Sequence, residues 1–301
     1  MQKLKGNLIL LVVAIIWGIA FVAQDSASQH VGAFTFNAAR NILATLSLGI
    51  LVLKKRQSTP QKQKLISKKD WLAGFWIGIV LFIAEFFQQT GIGSYPASAA
   101  ASGRAGFITS IYVVIVALTA WFIGRNRNPI IFLAVIFGLA GMYFLCITDS
   151  LTNIYLGDIL NFISAFAFAG HILVIDYYRN HDSLIISWLQ FIFAGGFALI
   201  FALIIEHPSI TAIFQAALPI AYAGIISSGV GYTLQIIGQK YADPTASSII
   251  LSTEAVFSAI AGWLVLNQVM APREIFGATL VFFAVIIAQI PDIIKYSKKT
   301  L

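Results

Sequence analysis

The chain has 301 residues, of which 59% are hydrophobic and only 10% are charged, and its mean hydropathy is +0.87. Since average soluble domains carry about a quarter charged residues, this chain has too little polar surface to cover a water-soluble globule of its size. The formal net charge is +7. Most of the basic excess lies in short loops beside apolar runs, where it indicates membrane topology and not nucleic-acid binding. A polytopic membrane protein is therefore predicted.

Ten stretches are apolar enough to cross a bilayer, for which about 20 residues are needed. In chain order they cover residues 8–24, 33–53, 71–92, 99–124, 129–147, 157–176, 184–205, 217–240, 245–267 and 273–291. Pro208 and Pro219 interrupt the start of a longer apolar run, so the eighth span is placed after a short interfacial stretch. The first span follows Lys3 and Lys5 but is long for a signal sequence, and nine more spans follow, so it is predicted to stay uncleaved.

The lysines and arginines fall almost entirely on one side of this predicted bundle. If the N-terminus is cytoplasmic, sixteen of them are cytoplasmic and Arg273 is not, while Arg40 and Arg104 lie in or at the ends of spans. The sixteen are Lys3, Lys5, Lys54, Lys55, Arg56, Lys62, Lys64, Lys68, Lys69, Arg125, Arg127, Arg179, Lys240, Lys295, Lys298 and Lys299. Because basic residues concentrate in cytoplasmic loops, both termini are predicted to be cytoplasmic, in a bacterial-type cell membrane. The basic loop 54–70 is expected to contact anionic lipid.

The two halves of the sequence resemble each other. Aligned pairs are Phe86 with Tyr232, Gln89 with Gln235, Trp17 with Phe168, Phe21 with Ile172, Tyr112 with Glu254, and Arg40 with Gln190. Each half then holds five spans, over residues 7–147 and 157–291, and because five is odd the second copy enters the membrane from the opposite side. The predicted fold is all-α, with ten transmembrane helices in two inverted five-helix repeats. Such repeats place a binding site near the midplane between the halves.

Short motifs occur in order on the predicted helices of both halves. They are Ile16-Trp17-Gly18, Phe34-Thr35-Phe36-Asn37, Gln88-Gln89-Thr90-Gly91, Gly103-Arg104-Ala105-Gly106, Gly238-Gln239-Lys240-Tyr241 and Leu251-Ser252-Thr253-Glu254. Together they resemble the drug/metabolite transporter superfamily, specifically its EamA-type ten-helix members. The resemblance implies export or exchange of small metabolites such as amino acids or other amphipathic solutes. Two departures concern local gating geometry: Val113 and Ala255 stand where such helices often carry proline, and the segment 94–102 is a few residues longer than usual.

Charged residues inside the spans are candidates for a solute-binding site, because a charge at the bilayer centre costs about 2.5–3.5 kcal/mol and usually faces a cavity or a partner. Glu85, Gln88 and Gln89 share one face of the third span, at i, i+3 and i+4. Glu85 is interpreted either as a group that binds an amine or a proton, or as the partner of an arginine on a neighbouring helix. Arg40 and Arg104 are the arginines concerned, and each could instead reach the headgroups or bind a substrate carboxylate.

Stripes of polar and aromatic side chains on two later spans suit the wall of a cavity for an amphipathic solute. They are Asn161, Ser164, Phe168 and His171 on the sixth span and Ser228, Tyr232, Gln235 and Gln239 on the eighth. The alternative is interhelical hydrogen bonding, which is the usual role of a lone histidine such as His171. For Glu254, a structural or gating role and a role in proton coupling stay equally open. The candidate substrate-binding residues are Trp17, Phe21, Glu85, Gln88, Gln89, Arg104, Tyr112, His171, Tyr232, Gln235 and Glu254.

The predicted function is secondary transport of a small organic solute, with protons as the candidate coupling ion and no cofactor, metal or nucleic acid. No Walker motif is present to drive pumping by ATP, and the single cysteine, Cys146, cannot form a disulfide within one chain. The alternative function is a polytopic membrane enzyme acting on a lipid or lipid-linked substrate, which favours clustered carboxylates or histidines near one interface. His30, Asp149, Glu206 and His207 are expected to be solvated loop residues.

Overall fold

The computed structural model describes residues 2–57, 66–123, 129–146, 154–242 and 244–300. Among these residues nearly all are helical and no strand occurs, which confirms the predicted all-α class. Several residues that enter the topology and solvation predictions lie outside the described residues, namely Lys62, Lys64, Arg125, Arg127 and Asp149.

Each of the ten predicted spans coincides with a helix of the described chain. The helices are α1 (Gln2–Ser28), α2 (Ala33–Gln57), α3 (Lys68–Gly93), α4 (Ala101–Thr109 and Tyr112–Phe122), α5 (Ile130–Cys146), α6 (Leu156–Tyr177), α7 (Ser183–Phe201 and Ala202–Glu206), α8 (Ala217–Ala221, Tyr222–Tyr232 and Thr233–Gln239), α9 (Pro244–Leu251 and Glu254–Leu266) and α10 (Pro272–Thr300). A short helix, Ile210–Gln215, precedes α8. By length and composition, eight of the described helices can cross a membrane, namely α1 to α4 and α6 to α9, while α5 contributes a shorter apolar stretch, Phe132–Gly141.

The bundle has two ends: the terminal end, where α1 begins and α10 ends, and the far end opposite to it. Contacts between helix termini occur at each end. At the terminal end, Lys55 at the end of α2 lies 2.6 Å from the carboxylate of Asp182, which precedes α7. At the far end, Asp25 near the end of α1 accepts a hydrogen bond from Gln268, which precedes α10. Because α10 has 29 residues and a helix rises about 1.5 Å per residue, it returns the chain from the far end to the terminal end, where α1 begins. Which side of the membrane this end faces stays a prediction.

The helix–helix contacts follow a repeating pattern. If each helix number is shifted by five, the same set of contacts is obtained. Helix α1 packs against α8 and α9, and α6 packs correspondingly against α3 and α4. The pairs α2–α7, α4–α9 and α5–α10 also pack together, and each of these pairs maps onto itself. Glycines permit close approach at these crossings, since a Cβ at Gly18 of α1 would overlap Phe257 of α9, and one at Gly106 of α4 would overlap Ser258 of α9.

Helices α4 and α9 are each interrupted halfway along their length. The backbone N–H of Val113 donates to the carbonyl of Ser110, and that of Ala255 donates to Ser252, both at 3.1 Å and both in the tighter i→i+3 pattern. The hydroxyls of Ser110 and Ser252 each donate to the carbonyl three residues earlier, at 2.7 Å. Such back-bonding bends helices, so both breaks form without a proline at positions 113 and 255.

Helix α8 contains an unusually wide section that the sequence did not predict. Residues Tyr222–Tyr232 form a π-helix of 11 residues. Gly224, Gly229 and Gly231 lie in this section, and Gly224 and Gly231 approach α2 and α1 too closely to carry a Cβ without displacing neighbours. π-Helical segments are frequent at functional sites, and this one supplies part of the central cavity described next.

Candidate solute-binding cavity

A cavity of about 30 Å³ lies between the two halves of the bundle. Seven helices, from both halves of the chain, contribute to its wall. The lining residues are Trp17, Ala20, Phe21, Gln24, Arg40, Gln88, Thr109, Tyr112, Phe168, Ile172, Ser227, Tyr232, Gln235 and Glu254. The breaks in α4 and α9 directly precede two of them, Tyr112 and Glu254. The cavity therefore lies where α4 and α9 lose their regular hydrogen bonding.

Aromatic rings form one wall of this central cavity. The ring centroids of Trp17 and Tyr232 lie 4.6 Å apart, and the indole N–H of Trp17 donates to the carbonyl of Ser227 at 3.3 Å. The rings of His171 and Phe191 each lie 5.7 Å from Tyr232 in edge-on contact. These contacts fix the orientation of Tyr232, so the wall is positioned before any solute enters.

Arg40 lines the cavity but is already paired. Its Nη2 lies 3.2 Å from Oε1 of Glu85, and its Nε donates to the hydroxyl of Ser228 at 3.1 Å. The second carboxylate oxygen of Glu85 accepts a hydrogen bond of 2.7 Å from the side-chain amide of Asn41. Both charged side chains are at most 3% exposed. The structure thus brings together the ion pair that was one of the two interpretations of Glu85.

Glu254 is the second acidic group at the cavity, and its surroundings differ from those of Glu85. It begins the second part of α9, is 4% exposed, and has the phenol of Tyr112 beside its carboxylate. Among the described residues, no lysine or arginine forms a salt bridge with it. When ionised, its carboxylate is therefore compensated only by dipoles and by whatever enters the cavity.

Several polar atoms of the cavity wall have no hydrogen-bond partner within the described part of the chain. They are Oε1 of Gln24, Oγ1 of Thr109 and Oε1 of Gln235. Because buried polar groups are nearly always hydrogen-bonded, such atoms require a partner from outside the protein, either water or a solute. A polar ligand bound in the cavity would supply the hydrogen bonds that these groups lack.

Seven of the predicted site residues line the cavity: Trp17, Phe21, Gln88, Tyr112, Tyr232, Gln235 and Glu254. The other four have partners elsewhere. Glu85 lies behind Arg40, Gln89 donates to the carbonyl of Gln24 at 3.0 Å, and Nε2 of His171 lies 3.1 Å from Oε1 of Gln190. Arg104 lies at the far end.

The lining residues that sequence reasoning missed follow the same helical faces. Ala20 and Gln24 lie at i+3 and i+7 from Trp17, so the periodicity of α1 marks them once one member of the face is known. Phe168 already belongs to the stripe predicted on the sixth span, and Ile172 lies one helical turn from it on α6. Thr109 and Ser227 carry no such signal, because they adjoin the helix break and the π-helix.

A second group of buried charges, the far-end cluster, consists of Arg104, Asp158, Glu274, Tyr95 and Tyr155. Arg104 is fully buried and binds Asp158 through two hydrogen bonds, of 3.0 Å from Nε and 2.8 Å from Nη2. Its Nη1 lies 2.5 Å from Glu274. The Tyr95 hydroxyl donates to Asp158 at 2.9 Å, and the guanidinium lies 4.9 Å from the Tyr155 ring centroid. The cluster joins α4, α6 and α10 and encloses Arg104 within the protein, away from the lining of the central cavity.

Two other acidic side chains connect helix ends by hydrogen bonds at the far end of the bundle. Asp25 of α1 accepts hydrogen bonds from Ser102, at 3.3 Å, and from Gln268. Glu206 accepts from the backbone N–H groups of Phe34 and Thr35 at 2.9 and 2.7 Å, at the first turn of α2, where a negative charge is favoured by the helix dipole. The prediction that Glu206 is a solvated loop residue is therefore wrong.

With this geometry in place, comparison with known proteins places the chain in a family. The model of the EamA-like transporter family matches residues 4–147 and residues 155–289. The chain belongs to the EamA-like transporter family. This membership is consistent with the drug/metabolite transporter superfamily and confirms the predicted membrane transporter class.

Individual relatives of this EamA-like transporter agree with that class. An Archaeoglobus fulgidus protein described as an uncharacterized transporter is 27% identical over 297 residues, which cover 96% of this chain and 87% of the relative. Uncharacterized transporter YoaV of Bacillus subtilis is 19% identical over 275 residues, covering 89% and 91%. A solved crystal structure with 16% identity covers 94% of this chain and 97% of its own, with a TM-score of 0.69, and so shares the fold. The family of this chain and the names of its relatives indicate a transporter and not an enzyme.

Proposed function

We propose that this protein is a secondary transporter that exports or exchanges small organic metabolites, such as amino acids or other amphipathic solutes, by alternating access. The observation that carries the proposal is the central cavity, which combines aromatic faces with unpaired polar atoms inside a membrane bundle. Solute sites typically have this composition, an apolar wall with a few placed polar groups. In this proposal both termini face the cytoplasm of a bacterial-type cell.

The proposal treats residues 7–147 and 157–291 as inverted repeats with the cavity at their interface. Three pairs that the internal alignment matches support this, because both members of each pair line the cavity: Trp17 with Phe168, Phe21 with Ile172, and Tyr112 with Glu254. The packing pattern supports it as well, since a shift of five helices preserves the contacts. A site at the interface of two repeats is suited to rocking of one half against the other.

Alternating access also requires closures on both sides of the cavity that can open separately. At the far end, the far-end cluster and the contacts of Asp25 join α1, α4, α6 and α10. At the terminal end, Nδ1 of His181 lies 2.6 Å from Asp70, and Lys240 donates to the carbonyl of His181 at 2.7 Å. The breaks in α4 and α9 lie between these two closures, where they can act as hinges for an opening of either end.

The experiment that tests the proposal combines a binding screen with transport by purified protein. Metabolites that raise the melting temperature in detergent are selected, because a ligand of the folded state stabilises it, and each is then assayed by counterflow in proteoliposomes. A Tyr232→Phe, Gln235→Leu double variant keeps the side-chain volumes and removes both polar ends. We expect its KM for the selected solutes to rise by about tenfold, equivalent to about 1.4 kcal/mol.

The matched control is Val230→Ala, which changes a lipid-facing residue of the same helix, 42% exposed, and should transport normally. Melting temperatures of all variants are measured to separate binding from folding. Unchanged counterflow by the double variant for every solute would show that the central cavity is not the transport site. Absence of counterflow by the native protein for the whole panel would reject the proposed substrate class.

A further inference from the structure

Resting on the proposed function, we infer that the cavity selects solutes that carry a positively charged amine, and that the carboxylate of Glu254 binds this amine. The inference concerns which end of an amphipathic solute is recognised. It follows from the balance of charges around the cavity, from the aromatic wall and from the cost of admitting an anion.

The charges of the cavity wall do not cancel. Arg40 is the one cationic residue of the described lining, and Glu85 neutralises it at 3.2 Å. Ser228 and Asn41 occupy further hydrogen-bonding positions of this pair. Glu254 has no such counter-ion among the described residues. When ionised, it leaves the site with one uncompensated negative charge, which a cation in the cavity would balance.

The aromatic wall favours the same charge. Trp17 and Tyr232 present neighbouring rings to the cavity, 4.6 Å between centroids, and Tyr112 stands beside Glu254. An ammonium group is attracted to the faces of such rings, by about 0.5–1 kcal/mol where exposed and about 2 kcal/mol where desolvated. The unpaired Oε1 atoms of Gln24 and Gln235 can accept hydrogen bonds from its N–H groups.

A solute with only a carboxylate would meet opposite conditions. Its negative charge would lie in the same cavity as Glu254, and the one cationic residue of the described lining, Arg40, is already neutralised by Glu85 at 3.2 Å. Phe21, Phe168 and Ile172 provide an apolar surface for the remainder of the solute, so an amine attached to an apolar group fits and an acid attached to the same group is disfavoured.

The test uses three probes with the same ring: 2-phenylethylamine, 2-phenylethanol and 3-phenylpropionate. Binding to purified full-length protein is measured by equilibrium dialysis of the radiolabelled amine, with competition by the other two. We expect the amine to bind about tenfold or more tightly than the alcohol, and the acid to bind weakest. Glu254→Gln should lower the affinity for the amine to that for the alcohol, while the affinity for the alcohol stays the same.

Asp182→Asn is the matched control, since it removes a carboxylate at the terminal end, away from the cavity, and should keep the preference for the amine. Glu254→Asp retains the charge and is expected to keep amine binding within a few fold, which separates loss of charge from misfolding. Equal affinity of native protein for the amine and the alcohol overturns the inference, as does an unchanged preference in Glu254→Gln.

The remaining outcomes distinguish this inference from the proposed function. Tightest binding of the acid overturns amine selection while the cavity still binds organic solutes. If none of the three probes binds, amine selection is overturned as well, and the counterflow panel alone decides whether the protein transports other organic solutes.

Discussion

The two groups of buried charges in this bundle differ in how completely they are paired. In the far-end cluster, Arg104 contacts two carboxylates and an aromatic ring, and Tyr95 adds a further hydrogen bond. In the central cavity, Glu254 has no counter-ion among the described residues, and three polar atoms of the wall are unpaired. Both groups contain acids and an arginine, so residue composition alone does not distinguish them.

The difference shows how a membrane protein can use the same residue types for two purposes. A paired and hydrogen-bonded charge holds helices in one arrangement, because opening it exposes uncompensated charges to a low dielectric. A charge that stays unpaired inside a cavity is costly, and it is balanced when a ligand of opposite charge binds. The far-end cluster is therefore assigned to closure, and the cavity to recognition.

The largest effect is expected for Arg104→Leu, which removes the cation between two buried carboxylates. Loss of one partner of a buried ion pair typically costs about 3–5 kcal/mol. The variant should melt at a markedly lower temperature in detergent. Melting is measured as the loss of monodisperse elution after heating. Glu254→Gln is the comparison and should melt within a few degrees of the native protein, because no ion pair is broken. Equal destabilisation by both variants would contradict the distinction between the two regions.

A smaller effect is expected for Glu85→Gln, which leaves Arg40 without its counter-ion but retains a hydrogen-bond acceptor. The cost is about 1.5–3 kcal/mol, the usual value for a hydrogen bond to a charged group. Removing both charges, by Arg40→Gln with Glu85→Gln, should recover part of the lost stability. Because the ion pair holds Glu85, transport by the single variant should still respond to an imposed pH gradient. If that response disappears while transport continues, Glu85 is the coupling group and not a structural one.

The smallest effect is expected at the terminal end, for the exposed pair Lys55–Asp182. Partial burial alone would raise the pKa of Asp182, but the hydrogen bond and charge of Lys55, together with two backbone N–H donors, hold this pKa below its ordinary value. The pair therefore stabilises the fold above the unfolded pKa of about 3.9, and its contribution is lost as the pH falls through the folded pKa. Asp182→Asn keeps the helix cap and should cost less than about 1 kcal/mol at pH 7. A melting difference that persists undiminished at acid pH would contradict this explanation.

Hydropathy was sufficient to predict the helices, because the bilayer imposes the length and composition of each span. It could not predict the breaks in α4 and α9, since these depend on hydroxyl groups of Ser110 and Ser252 that bond to their own helix. It also could not predict the π-helix of α8. These local distortions change no hydrophobic periodicity, yet they position Tyr112, Ser227 and Glu254 at the cavity.

Site residues were predictable where one helical face carries several of them, as in Trp17 and Phe21. The partners of buried charges were not predictable, because they lie far apart in the sequence. Arg104 is 54 residues from Asp158 and 170 residues from Glu274. His171 and Phe168 share one stripe of α6, but Phe168 lines the cavity while His171 contacts Gln190. Periodicity thus identifies a buried face, and only the packing of neighbouring helices decides which members of it meet a solute.

The most direct measurement asks whether the central cavity lies on the path of the solute. In a Cys146→Ala background, Ser227→Cys places a single thiol in the cavity wall, and Val230→Cys places one on the lipid-facing side of the same helix. A charged, membrane-impermeant thiosulfonate is applied to right-side-out and everted vesicles, with and without a transported solute. We predict that the cysteine at position 227 is labelled, that the solute protects it, and that position 230 is unreactive. If position 227 is unlabelled from both sides, or is labelled at the same rate with saturating solute, then transport does not pass through this cavity.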